Sequence, residues 1–174
     1  MTEILWHGRG GQGAFTAAKL LGAAYVSEGD GYYALAFPSF GPERRGAPVR
    51  AFTKLYDAPI GDRSQILKAD YSIFLDDTLF TEDSFNELKG SGKILLNTKQ
   101  TFIDGRVIAL DGDLIAGEIL GMPITNTIML GAFAAVSGVI GLGAIEWAIR
   151  ENMPAKLHEK NIAAALAAAK EVTG

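Results

Sequence analysis

Cysteine is absent from the 174-residue chain. That excludes disulfides, a Cys-ligated zinc and any iron–sulfur cluster held by the chain's own thiolates. Histidine is scarce: His7 and His158 are the only two. One stands at a strand end and the other on an alanine-rich helix, so both read as structural rather than as ligands or a base. Positive charge is not in excess, since 16 Lys and Arg against 20 Asp and Glu leave a net −4. Neither nucleic acid nor an anionic membrane surface is therefore an expected partner. The start, MTEILWHGRGGQG, puts Glu3 and then glycines where a leader would have a basic and then an apolar region; the expected location is the cytoplasm. The uncharged stretch from Ile119 to Ile145 approaches a bilayer-spanning length. Pro123, Asn126, Thr127, Ser137, Gly138, Gly141 and Gly143 interrupt it and no basic cluster flanks it. It reads as buried core, with no membrane span.

What is present is the make-up of an ordinary globular domain, 48% apolar and 21% charged. Strands are expected at Glu3–His7, Tyr32–Phe37, Val49–Tyr56, Tyr71–Leu75, Lys93–Asn97 and Arg106–Leu110. Helices are expected at Ala14–Glu28, where Gly29-Asp30-Gly31 supplies the stop, at Ser84–Lys89, and through the last third at Leu114–Leu120, Thr127–Val139, Ala144–Glu151 and Ala155–Val172. Pro154 suits the first turn of the last helix, Asn152 its cap, and Ile162, Leu166 and Ala169 its buried stripe. Strands alternating with helices predict an α/β, Rossmann-like domain. Its sheet is mostly parallel with helices on both faces, Val49–Tyr56 is a candidate antiparallel strand, and the C-terminal third is helical.

Two loops carry the chemistry. Gly8, Arg9, Gly10, Gly11, Gln12 and Gly13 follow the first strand and open the first helix, the spacing and context of a dinucleotide fingerprint. Glycines let backbone N–H groups approach a phosphate, the helix N-terminus adds favourable partial charge, and Arg9 adds a charged donor. The acid that would hold a ribose hydroxyl at the end of the second strand is missing, for Ala36-Phe37-Pro38-Ser39 stands there. That leaves two readings open: another kind of anion site, or glycines needed only for a tight turn and close helix–strand packing. The second loop is Phe37-Pro38-Ser39-Phe40-Gly41-Pro42-Glu43-Arg44-Arg45-Gly46-Ala47-Pro48. In an α/β fold it shares the carboxyl edge with the glycine loop, so Arg44 and Arg45 are expected to make the shared crevice electropositive. Its aromatics, prolines and arginines also suit a docking surface, with Phe37, Pro38, Ser39, Phe40, Gly41, Pro42, Glu43 and Gly46 as interface residues. Asn126, an amide within an uncharged stretch, is expected to line the crevice. The acids Asp76, Asp77, Glu82 and Asp83 fit helix capping as well as they fit a metal.

Together the loops resemble the gamma subunit of pyruvate and other 2-oxoacid:ferredoxin oxidoreductases. In that family a strand leads into Gly-x-Gly-Gly-Gln-Gly, and Pro-Ser-Phe-Gly-Pro-Glu-Arg-Arg-Gly follows the second strand. Both stand intact here, at Gly8–Gly13 and Pro38–Gly46. Asp70-Tyr71, Asn97-Thr98 and Asn126–Ala132 also match the pattern, so the resemblance covers nearly the whole chain as one domain, residues 1–174. It implies an accessory subunit with no catalytic residue or cofactor of its own. Its partners would be alpha, beta and ferredoxin-like (delta) subunits, with thiamine diphosphate and magnesium between alpha and beta and 4Fe-4S clusters on the ferredoxin-like modules. The reaction implied is oxidative decarboxylation of a 2-oxoacid, pyruvate by closest resemblance, to an acyl-CoA with electrons passed to ferredoxin. Coenzyme A then becomes a candidate anion for the crevice. A stand-alone Rossmann-type nucleotide-binding reductase and a purely structural subunit are the alternatives.

Overall fold

The computed structural model describes residues 1–39 and 45–174. Six strands form one sheet: β1 (Thr2–Arg9), β2 (Tyr33–Pro38), β3 (Pro48–Tyr56), β4 (Ala69–Phe74), β5 (Leu88–Asn97) and β6 (Val107–Leu110). Their order is β2-β3-β1-β4-β5-β6. β1 pairs antiparallel with β3, and β3 antiparallel with β2, whereas β1–β4, β4–β5 and β5–β6 are parallel. β3 alone runs against the others, the strand singled out in the sequence. From β1 the chain moves first to one side and then to the other. The topological switch point, where doubly wound sheets open a crevice at the strands' carboxyl ends, therefore lies between β1 and β4.

Strand alternation sorts the side chains onto two unlike faces. Ile4, Trp6, Ala51, Leu55, Ile73, Leu75, Leu95 and Leu110 join one core with α1 (Ala14–Ser27), α2 (Gly112–Ile115), α3 (Asn126–Ser137), α4 (Leu142–Asn152) and α5 (His158–Thr173). Within it the Trp6 indole donates to the Thr53 hydroxyl at 3.1 Å, which donates to the Ala18 carbonyl of α1. On the opposite face the cover is thin. Phe74, Ile94 and Leu96 lie under two 3₁₀ turns (Asp77–Leu79 and Glu82–Glu87) through Leu79, Phe80 and Phe85. Leu5 and Phe52 lie under Ile66 of the irregular segment 57–68. That segment is pinned by Lys54, a fully buried lysine whose ammonium meets Asp62 at 2.6 Å and Glu3 at 3.8 Å. Asp62 lies well below the usual carboxylate range, held there by the Lys54 hydrogen bond and by Ser64.

The centre of the uncharged stretch is buried core, every residue of α3 from Asn126 to Ala134 being buried, whereas Gly121, Met122, Pro123, Gly138, Gly141 and Gly143 are exposed. Among the described residues no helix is long and apolar enough to cross a membrane. Four local readings are corrected. Ser84–Lys89 is helical only to Glu87, within the 3₁₀ turn Glu82–Glu87, because Leu88 pairs with Ala69 and starts β5 five residues earlier than expected. Leu114–Leu120 is split between α2 and a π-helical turn, Ala116–Leu120. Asn152 does not cap the last helix; it ends α4, donating to the Ala148 carbonyl at 2.9 Å. Leu166 is 45% exposed, and the buried face of α5 is Asn161, Ile162, Ala164, Ala165, Ala168 and Ala169.

The Ser72 hydroxyl, fully buried on the thinly covered face, has no hydrogen-bond partner among the described residues. A buried hydroxyl without a partner costs its desolvation. Ser72→Ala is therefore expected to stabilise the chain by about 1 kcal/mol, raising the melting temperature by roughly 3 °C. A lowered melting temperature would show that the hydroxyl has a partner in solution.

Candidate functional site at the carboxyl edge

The ends of β1, β4, β5 and β6 lie along one edge of the sheet, with the switch point between β1 and β4. α1 packs closely on the sheet at Gly8: a Cβ there would stand 3.3 Å from Leu75 Cδ1 and 3.4 Å from Ala14 Cβ. Gly11 and Gly13 turn the chain, with φ of 98° and 82°. A Cβ on Gly13 would also fall 2.5 Å from Asn126 Nδ2. Close packing and a tight turn are thus both real demands on these glycines.

The glycine loop is hydrogen-bonded to the start of the second loop. Gly10 N–H donates to Ala47 O at 2.8 Å and Gly46 N–H to Gly10 O at 3.0 Å, a parallel bridge that pairs Gly10 with Arg45. Two of the expected anion donors are thereby occupied within the fold, Gly10 N–H by Ala47 and Gln12 N–H by Arg9 O at 3.0 Å. Arg9 is likewise committed: its guanidinium donates to Asp76 at 3.1 Å, to Gly46 O at 3.1 Å and to Thr78 Oγ1 at 2.7 Å. The Gln12 amide closes the loop, accepting from Arg9 N–H at 2.6 Å and donating to Asp76 at 3.1 Å. Burial alone would raise the Asp76 carboxyl, but hydrogen bonds from Thr78 and Gln12 and the Arg9 charge hold it below its ordinary value. What remains for an anion is the N-terminus of α1, which has no acidic residue in its first turn and no side-chain cap, together with the Gly11 and Gly13 amides beside it.

The structure brings Asn126 and Arg45 to this loop. Asn126 is buried at the start of α3, where its Oδ1 accepts from Thr127 N–H at 2.9 Å and its Nδ2 faces Gly13 O at 3.4 Å. Arg45 holds the bridge by its backbone and leaves its side chain exposed. Phe37 and Pro38 end β2, and the Phe37 ring stacks on Phe52 at 5.0 Å. That aromatic belongs to the fold's own packing instead of standing free. Ser39 prolongs the pairing, its N–H donating to Arg50 O at 2.9 Å. Phe40, Gly41, Pro42, Glu43 and Arg44 lie outside the described residues.

Two clusters went unforeseen. Asn97 ties three strand ends together: its Nδ2 donates to Leu75 O at 3.0 Å and to Asp113 at 3.2 Å, and its Oδ1 accepts from Gly112 N–H at 2.9 Å. His7 has company after all. It stacks on Phe74 at 4.2 Å and meets Glu87 at 2.8 Å, and Arg50 reaches the same carboxylate at 3.2 Å. Burial would raise Glu87, but the His7 hydrogen bond and the His7 and Arg50 charges lower it. No spacing could have joined residues 7 and 87. Asp76 and Asp77 fit capping by sequence as well as they fit a metal, and Asp76 does cap its turn, accepting from Thr78 N–H at 3.0 Å. Its service to Arg9 and Gln12 needed the β1–β4 pairing to be seen. Among the described residues no group of three His, Asp or Glu side chains is placed to hold a metal ion.

Residues 3–171 match the family described as pyruvate ferredoxin/flavodoxin oxidoreductase. The chain is 48% identical over 168 residues to pyruvate synthase subunit PorC of Methanothermobacter marburgensis, covering 95% of this chain and 94% of that one. It is 45% identical over 175 residues to the common gamma subunit of the pyruvate/ketoisovalerate oxidoreductases of Thermococcus kodakarensis, with 95% and 94% covered. Among solved structures it matches pyruvate oxidoreductase subunit PORC of Thermotoga maritima with a TM-score of 0.83 at 32% identity, covering 97% of this chain and 95% of that one.

Proposed function

We propose that this chain, which belongs to the pyruvate ferredoxin/flavodoxin oxidoreductase family, works as the gamma-type accessory subunit of a cytoplasmic 2-oxoacid:ferredoxin oxidoreductase. It forms one domain over residues 1–174 and assembles with alpha, beta and ferredoxin-like delta subunits. The complex decarboxylates a 2-oxoacid oxidatively, pyruvate first, joins the acyl group to coenzyme A, and passes the two electrons to ferredoxin. This chain is non-catalytic. Thiamine diphosphate, magnesium and the 4Fe-4S clusters sit on its partners, in keeping with a sequence that offers no thiolate. Its crevice takes the phosphates of coenzyme A at the α1 N-terminus, beside Gly11, Gly13 and Arg45, with Arg44, which lies outside the described residues, as a further proposed donor.

The observation that carries this reading is the hydrogen-bonded pairing of the glycine loop with the arginine loop at the switch point. The family pattern requires those two segments together, and neither alone would point there. The relative common to pyruvate and ketoisovalerate oxidoreductases further supports a subunit that leaves the choice of 2-oxoacid to its partners.

Co-expression tests it. The chain should co-purify with the other three subunits, and the complex should reduce viologen with pyruvate and coenzyme A, while the chain alone is colourless and inactive. In that complex Gly13→Ala should raise the KM for coenzyme A about tenfold, because a side chain at φ 82° displaces the turn and Asn126 with it. An active or coloured lone chain overturns the accessory role, and an unchanged KM removes coenzyme A from the crevice.

A further inference from the structure

Behind Asn126, away from the glycine loop, a cavity of about 320 Å³ opens between the segment leading into α3 and the first turns of α5. Its walls are apolar: Leu120, Met122, Ile124, Met153 and Leu157. Asn126 and Asn161, each at least nine-tenths buried, also line it. Lys156 and Lys160, one helical turn apart, complete the lining, and both are exposed and make no ion pair among the described residues. The volume lies near the lower end of small-molecule sites, and apolar walls with a few convergent polar groups are the usual make-up of such sites. The two methionines give the walls adaptable shape, and the π-helical turn that ends at Leu120 is a feature that often marks functional positions.

We propose that this cavity is a binding site for a small organic anion with an apolar body, such as an aliphatic carboxylate. The apolar part fills the space between Leu120, Ile124, Met153 and Leu157. The carboxylate lies toward Lys156 and Lys160. Hydrogen-bond capacity inside supports a polar head: Asn161 Nδ2 uses one hydrogen on Leu157 O at 2.8 Å, and Asn126 Nδ2 makes only the long contact to Gly13 O. Each amide nitrogen therefore has a hydrogen not committed to an acceptor among the described residues. The site is distinct from the coenzyme A crevice but touches it through Asn126, so an occupant would be felt at Gly13.

Octanoate and 1-octanol, titrated into the full chain and followed by the side-chain amide NMR signals of Asn126 and Asn161, test this. Octanoate should move both signals saturably, with octanol about tenfold weaker for want of the charge. Lys156→Ala with Lys160→Ala, two exposed positions whose loss leaves the fold intact, should make the two ligands equal. Signals that octanoate leaves unmoved, or an octanoate preference that survives both substitutions, would overturn the proposal. Equal binding of both ligands by the wild-type chain would also overturn it, and would mark the cavity as a seat for an apolar side chain of a partner.

Discussion

Gly131→Ala should cost the chain about 3 kcal/mol of stability, seen as a fall in melting temperature of roughly 6–12 °C for a domain of this size. Gly131 lies in α3 where α5 crosses it, and a Cβ there would run into the Ala165 carbonyl oxygen and stand 2.6 Å from Ala165 Cα. These are backbone atoms, so no rotamer change relieves the overlap, and one helix must move off the other. The alanines on the buried face of α5, Ala164, Ala165 and Ala168, belong to the same contact, since only small side chains allow two helices so close. Gly143→Ala in α4 is the matched control. Nothing lies within 4 Å of its Cβ, and removing a helical glycine should stabilise by about 0.5 kcal/mol. A Gly131→Ala chain that melts within a degree of wild type would mean that the helices are not packed at this distance.

Loss of assembly without loss of stability is the result expected for Phe40→Ala combined with Arg45→Ala. The side chain of Arg45 is exposed, and the bridge to Gly10 uses its backbone alone, so truncation leaves that bridge in place. Truncating an exposed side chain such as that of Arg45 changes folding stability by roughly ±0.5 kcal/mol. At an interface, an aromatic anchor or a paired arginine is worth about 2 kcal/mol or more. Losing both would weaken partner binding by a factor on the order of 10³. The double variant should therefore melt almost as wild type, yet fail to co-purify with the alpha, beta and ferredoxin-like subunits proposed as its partners. Recovery of the whole complex at normal stoichiometry would show that this loop is a local turn and that docking takes place elsewhere.

The elements that sequence reasoning placed well are those whose signals are local. A glycine loop between a strand and a helix, an Asp104-Gly105 turn before β6, and a second loop at the same sheet edge needed no knowledge of distant residues. β3 was recognisable as the odd strand because it follows a short connection. Errors arose where distant contacts decide. Lys89-Gly90-Ser91-Gly92 has little strand propensity and enters β5 as a bulge between the Ala69–Leu88 and Tyr71–Lys93 pairs with β4. Leu166 fits a helical stripe by spacing, but α3 comes so close to α5 at Gly131 that alanines are the buried residues. At this edge the place of the glycine loop was legible, and Asn126 lies beside Gly13, while Asp76 as the partner of Arg9 and Glu87 as the partner of His7 were not legible. Those pairs lie 67 and 80 residues apart, and only the sheet order brings them together.

The unequal cover of the sheet has a consequence for how the molecule breathes. On the helical side, opening must separate α1, α3, α4 and α5 from a shared core. On the other side the cover is a pair of short turns and an irregular segment fastened by side chains, the Lys54–Asp62 pair foremost. Local openings draw on the regions with least regular backbone bonding. Amide exchange in segment 57–68 and around Asp77–Glu87 should therefore run ahead of global unfolding, while α3 and α5 exchange only with the whole. Water reaches Phe52 and Phe74 through a door that the helices never have to open.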